Sequence, residues 1–133
     1  MTTATPDGPP RRPLSVILCD DNVLLLETLR EVLRAQPDLE VVGTASDGEA
    51  ARQLAHRHQP DLVVLDVRFP GGGRSVALDI ARCSPASRIV VFSAYDDKGT
   101  VEQMTSAGVC EYLVKGVSNR DLLAALRRAA GPR

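Results

Sequence analysis

The chain alternates between short, unbroken apolar runs and longer stretches whose apolar residues recur at helical spacing. The runs are Ser15-Val16-Ile17-Leu18-Cys19, Leu39 to Ala45, Leu62-Val63-Val64-Leu65, Arg88 to Phe92 and Val109 to Val114. Runs of this length without polar alternation read as strands covered on both faces. Between the first two, Leu25, Leu26, Leu29, Val32 and Leu33 mark an amphipathic helix from Val23 to Ala35, stopped by Pro37-Asp38. Ser46-Asp47-Gly48 caps a helix from Glu49 to His58 with Ala51, Leu54 and Ala55 inward. A third helix runs from Arg74 to Cys83 on Val76, Leu78 and Ile80, and a fourth from Lys98 to Ala107, stopped by Gly108. Ser118 caps the last, through Ala130, with Leu122, Leu123 and Leu126 inward and Gly131-Pro132 ending it. Strand and helix alternate with short connections, which predicts an α/β fold: a parallel sheet wound on both faces by right-handed crossovers.

At 133 residues the chain is long enough for one buried core. A net charge of −1 gives no pull toward nucleic acid or anionic membrane. No apolar run approaches the roughly 20 residues that span a bilayer, and no signal-peptide core precedes the first strand, so a cytoplasmic protein is expected. Cys19, Cys83 and Cys110 form no C-x-x-C pair and are expected to be reduced and mostly buried. Residues 1–13, with Pro6, Pro9, Pro10, Pro13 and the pair Arg11-Arg12, are expected to be a disordered tail. Residues 14–131 form the domain, and 132–133 a C-terminal tail or the start of a linker. His56 and His58 stand two apart on a helix, diverge, and are read as surface residues rather than a metal pair. Gly71-Gly72-Gly73 lacks the Gly-Lys-Ser of a phosphate-cradling loop and is read as a flexible lead into a helix.

The polar residues that end the strands carry the chemistry. In an open parallel sheet the carboxyl ends of the strands form the rim where ligands bind. Asp20 and Asp21 end the first strand, Asp66 the third, Ser93 the fourth and Lys115 the fifth, all on that rim. Each alone has a plainer role: a helix cap, a turn hydroxyl, a solvated charge. Together, three carboxylates repel one another and require a cation, and a hard divalent ion such as Mg²⁺ suits an all-oxygen site. A cation, a lysine and a hydroxyl around Asp66 make a holder for a phosphoryl group, where positioning and charge neutralisation do most of the catalysis. As a rim ammonium, Lys115 is expected to contribute little to folding.

From Ser15 to Ala130 the chain resembles a response-regulator receiver domain of two-component signalling. The motifs are Asp20-Asp21, the Leu-Asp-x-x-x-Pro of Leu65 to Pro70, Ser93-Ala94 and Tyr112-Leu113-Val114-Lys115. The segment Ala107 to Lys115 most resembles the nitrate-regulator-like branch, whose members usually carry a DNA-binding helix-turn-helix further on. The resemblance implies a flavodoxin-like five-stranded sheet of order 2-1-3-4-5. It implies that a histidine kinase phosphorylates Asp66. Asp21, Asp66 and the main-chain carbonyl of Arg68 would ligate Mg²⁺, with Asp20 acting through water. Ser93 and Lys115 would bind the phosphoryl oxygens, and Tyr112 would be an aromatic switch turning inward as Ser93 moves. The output face would be the fourth helix, fifth strand and fifth helix, acting on a partner, a homodimer or an absent effector domain. No enzyme activity is implied beyond self-phosphorylation and slow self-dephosphorylation, and no direct nucleic-acid or membrane binding by this chain.

Three features depart from the resemblance. Gly116 stands where a proline is usual, Arg68 and Tyr95 are bulky beside the path of attacking water, and the sequence reaches Arg133 without an effector domain, as expected either of a stand-alone receiver or of a piece of a longer regulator. Two rival readings stay open. A haloacid-dehalogenase-type phosphatase also begins from a strand-ending Asp but wants a second Asp where this chain has Arg68. A receiver-like binding module that is never phosphorylated keeps the same acidic pocket.

Overall fold

The computed structural model describes residues 12–68 and 70–132. Five strands alternate with five helices: β1 Leu14–Cys19, α1 Val23–Arg34, β2 Leu39–Ala45, α2 Gly48–His58, β3 Leu62–Leu65, α3 Gly73–Cys83, β4 Arg88–Ser93, α4 Lys98–Ser106, β5 Glu111–Val114 and α5 Asn119–Ala130. All strand pairs are parallel, in the order β2-β1-β3-β4-β5. The reversal of strand order at β1 is what sends helices to both faces and opens a crevice at the carboxyl edge.

Alternation along each strand divides the core into two layers. Val16, Leu18, Leu62, Val64, Val90 and Phe92 meet Leu26, Leu29 and Leu33 of α1 and Leu122, Leu123 and Leu126 of α5. Ile17, Cys19, Val63, Leu65, Ile89 and Val91 meet Ala51 and Ala55 of α2, Val76, Ala77 and Ile80 of α3, and Met104 of α4. Each buried leucine of α1 contributes about 2 kcal/mol of apolar burial. α4 buries Met104 alone along its length, so packing attaches it less firmly than any other helix.

Two caps follow the predicted residues, the Asp47 and Ser118 side chains accepting from the Ala50 and Asp121 amides, while α1 and α4 are capped by Asn22 and Asp97, which accept from the Leu25 and Thr100 amides. The fifth strand begins later than the apolar run suggests. Gly108 turns with φ +92°, and Val109 N still donates to Met104 O, which makes Val109 part of the α4 terminus. The expected tail of residues 1–13 lies largely outside the described residues. At its described end, however, Arg12 is docked on Asp61 through bonds of 2.7 and 3.0 Å, so order reaches further toward the N-terminus than expected. Asp61 also accepts from the amide and hydroxyl of Ser15, tying the start of β3 to β1. Cys19 is buried, but Cys83 is only half-buried and Cys110 is exposed, against the expectation of mostly buried thiols. Cys110 lies just before β5, at a loop end that an apolar-run reading places inside the sheet.

Candidate functional site

The rim is fixed by backbone bonds that carry the sheet pattern one residue past the strands. Asp66 N donates to Cys19 O at 3.0 Å, Asp20 N to Ala45 O at 3.0 Å, and Lys115 N to Ser93 O at 2.7 Å. Each charged residue is the first beyond its strand yet still held by the neighbouring one, which sets the direction of its side chain.

Asp20 and Asp66 are buried, at 3% and 5% of full exposure, and Asp21 is exposed. One oxygen from each of the three carboxylates lies within 4.8 Å of the others. Lys115 Nζ stands 2.7 Å from Asp20 Oδ2 and 3.6 Å from Asp66 Oδ2. The Asn22 amide donates to Asp20 Oδ1 at 2.9 Å and the Arg68 amide to Asp66 Oδ1 at 3.3 Å. Burial first, and the charge of Asp20 second, hold the Asp66 carboxyl above the usual carboxylate range, against the pull of Lys115 and the Arg68 amide. Burial disfavours the Lys115 ammonium, but bonds and charges from Asp20 and Asp66 outweigh it and raise its pKa. The site therefore carries more negative charge than its lysine offsets. Three hard oxygen donors with that surplus fit a divalent cation of the Mg²⁺ class.

The other predicted residues converge on the same rim. Ser93 is fully buried, and its hydroxyl accepts from the Tyr95 amide at 3.1 Å rather than facing the opening. Tyr112 is half-buried against the layer under α4, and its hydroxyl donates to the Tyr95 carbonyl. Burial raises the Tyr112 pKa, with the Ser93 hydroxyl opposing. Arg68 is exposed at the tip of the β3–α3 turn, beside Asp66. Gly116 turns with φ +110°, a conformation glycine takes without strain, where the resemblance led one to expect proline.

Two expectations are revised. Lys115 is three-quarters buried and paired with two buried carboxylates, so it is part of what makes their burial tolerable rather than an idle rim charge. The glycine triplet is not a slack connection. The Gly48 amide donates to Pro70 O at 2.7 Å, and a Cβ on Gly73 would stand 2.6 Å from the Val67 carbonyl oxygen. The loop after Asp66 is clamped between α2 and its own first turn. One contact was not among the expectations: the Arg68 guanidinium lies over the Tyr95 ring, 4.1 Å from its centroid. Its only trace in the sequence is that both residues are bulky and follow strands on the same rim.

Among the described residues this acidic trio is the only group of three or more such side chains arranged to hold a metal ion. No described helix is long and apolar enough to cross a membrane.

The pattern of the response regulator receiver domain matches residues 16–127. The chain is 39% identical over 132 residues to the transcriptional regulatory protein PdtaR of Mycobacterium tuberculosis, covering 97% of this chain and 62% of that protein. It is 37% identical over 121 residues to the nitrate/nitrite response regulator protein NarL of Escherichia coli, covering 90% of this chain and 56% of that one. It thus spans about six tenths or less of these relatives' length. Among solved structures, the signal receiver domain of a Mycobacterium tuberculosis response regulator, NarL, superposes with a TM-score of 0.86 at 31% identity, covering 92% of this chain and all of that one.

Proposed function

The chain belongs to the response regulator receiver family of two-component signalling, and on that premise we propose that it is a phosphoacceptor, taking a phosphoryl group from a histidine kinase onto Asp66. The observation that carries this reading is the placement of a buried carboxylate, Asp66, 3.6 Å from the Lys115 ammonium and among the Asp20 and Asp21 oxygens. In the transfer, a P–O bond forms at an Asp66 oxygen as the P–N bond of phosphohistidine breaks, and the electron pair returns to the imidazole. Asp66 must be ionised to attack, and Lys115 favours that form. Lys115 also supplies a charge-assisted bond to the incoming phosphoryl oxygens. Ser93 Oγ accepts from the Tyr95 amide, and its hydroxyl proton would donate to those oxygens, which links occupancy of Asp66 to the β4–α4 loop.

Asp20, Asp21 and Asp66, with the Arg68 carbonyl, are the residues that would hold Mg²⁺. The ion would supply neutralisation of charge on the phosphoryl group. Tyr112 is the candidate switch, through its bond to the loop that Ser93 anchors. The output face would be α4, β5 and α5: β5 is an edge strand with all four residues partly exposed, and α4 is lightly packed. A homodimer, a protein partner or an effector domain is the object of that face, and the kinase partner places the chain in the cytoplasm. Beyond its own phosphorylation and slow dephosphorylation the chain acts as no enzyme. Arg68 offers no carboxylate at the position where a dehalogenase-type phosphatase needs its acid.

The test is intact mass after incubation with Mg²⁺ and a small acyl-phosphate donor. One added phosphoryl group on wild type and none on Asp66→Asn is expected. An unmodified wild type under conditions where Mg²⁺ binds would leave the non-phosphorylated binding module as the better reading.

A further inference from the structure

The Arg68 side chain is parked away from the carboxylate it neighbours. Its amide points at Asp66 Oδ1, yet its guanidinium lies on the Tyr95 ring. Arg68 follows β3 and Tyr95 follows β4, so the contact ties two loops together beside the mouth of the site. Its charge is also felt by Asp97, the cap of α4, whose carboxyl is held below the usual range chiefly by Thr100 and in part by Arg68. Tyr95 is in turn the node of the β4–α4 loop. Its amide donates to Ser93 Oγ and its carbonyl accepts from Tyr112, while the residue is 45% exposed and its ring rests under the guanidinium.

We propose that Arg68 and Tyr95 form a latch between the two loops, opened when Asp66 acquires a phosphoryl group: the guanidinium leaves the ring for the new dianion and frees the β4–α4 loop. The inference rests on the phosphoacceptor reading and adds to it a sensor outside Ser93 and Tyr112. Three observations support it. The backbone of Arg68 already touches the Asp66 carboxylate, so the side chain starts within reach of a group attached there. An exposed cation–π contact is weaker than a bidentate, charge-assisted bond to a phosphoryl group, which sets the direction of the exchange. The released loop leads directly into α4, which buries Met104 alone and resists displacement least. Only the planar fork of arginine serves both states, since it stacks on a ring and pairs with phosphate, and lysine does neither as well.

Nuclear magnetic resonance of the Arg68 Nε–H group tests this, with the signal assigned by its loss in Arg68→Lys and intact mass read on the same sample. In the unmodified protein the Tyr95 ring should shift that signal upfield of the other exposed arginines, and Tyr95→Leu should abolish the shift. After treatment with Mg²⁺ and an acyl-phosphate donor, the signal should move downfield as the ring is exchanged for the phosphoryl oxygens. The Tyr95 ring signals should move with it in wild type and far less in Arg68→Lys. Absence of the upfield shift in the unmodified protein overturns the latch. So does a full gain of mass with the Arg68 signal unmoved, which leaves the phosphoacceptor reading standing. No gain of mass overturns that reading, and the latch falls with it.

Discussion

Asp66→Asn should make the domain more stable while making it useless as an acceptor. An Asp20 or Asp21 oxygen within 4.8 Å repels Asp66 by at least about 3.5 kcal/mol at an effective dielectric of about 20, and Lys115 at 3.6 Å attracts it by about 4.6 kcal/mol. Asp21 is exposed and screened, and Lys115 is shared with Asp20, so the charge pairs nearly cancel and burial decides. A carboxylate out of water with one amide bond falls short of its lost hydration by about 1–3 kcal/mol. Asparagine keeps the shape and still accepts from Arg68. The expected gain is about 1–2 kcal/mol, or roughly 3–8 °C in melting temperature for a domain of this size. Because the folded-state pKa of Asp66 is raised, the folded protein holds its proton better than the unfolded chain. The penalty is therefore present above the folded pKa and relieved as pH falls through it toward the unfolded value of 3.8. Thermal unfolding of both proteins between pH 4 and pH 7 is the assay, repeated with Mg²⁺. The gap should be widest at neutral pH, close on acidification, and shrink with Mg²⁺, which stabilises wild type more by binding its fuller set of charges. An asparagine variant no more stable at pH 7, or a gap that widens toward acid, would refute the claim that the lost hydration of Asp66 is uncompensated.

Lys115→Ala should cost about 1–3 kcal/mol of stability, since it leaves two buried carboxylates without their cation, and should weaken any response to phosphorylation; denaturant unfolding and the phosphorylation-dependent change in the Tyr112 ring signal measure the two effects. Arg12→Ala should lower the melting temperature by no more than a few degrees at pH 7, the pair being partly exposed. Asp61 is held down to about 2, first by Arg12, so that contribution is present above the unfolded value of 3.8 and lost as pH falls toward 2; a difference that persists at pH 2 would count against the pair. Once Asp66 is phosphorylated, Arg68→Asn with Tyr95→Glu should speed its decay about tenfold, a barrier lowered by about 1.4 kcal/mol, measured after removal of the donor at constant Mg²⁺. Unchanged decay would show that neither side chain guards the approach of water.

The fold and the rim were legible because both depend on local, repetitive signals. Strand burial on two faces forces unbroken apolar runs such as Leu62 to Leu65, and helices must start with caps such as Asp47 and Ser118. A polar residue ending each run then has no place but the carboxyl edge. The errors fall where a non-local or stereochemical term decides. Gly73 looks like slack in a sequence and is a close approach to Val67 in space. Val109 looks like strand because it is apolar, yet it finishes the turn that Gly108 begins. Arg12 reads as tail because nothing nearby in sequence hints at Asp61.

The charges of the site show most clearly what residue identity leaves open. The charged residues that end the strands supply three carboxylates and one lysine, and the simplest pairing sets Lys115 on the nucleophile. The structure instead sets it closer to Asp20, at 2.7 Å, than to Asp66, at 3.6 Å. Both partners are buried, so this preference is not averaged away by solvent. Lys115 can turn fully to a group on Asp66 only when the charge of Asp20 is met by something else. Positive charge at Asp20 and Asp21, and phosphoryl binding by Lys115, are then coupled through one ammonium that cannot serve both aspartates equally. The same logic applies across the mouth, where Arg68 is held by Tyr95 rather than by the carboxylate beneath it. The unmodified site thus keeps both of its cations turned partly away from Asp66, and negative charge added there is what draws them in.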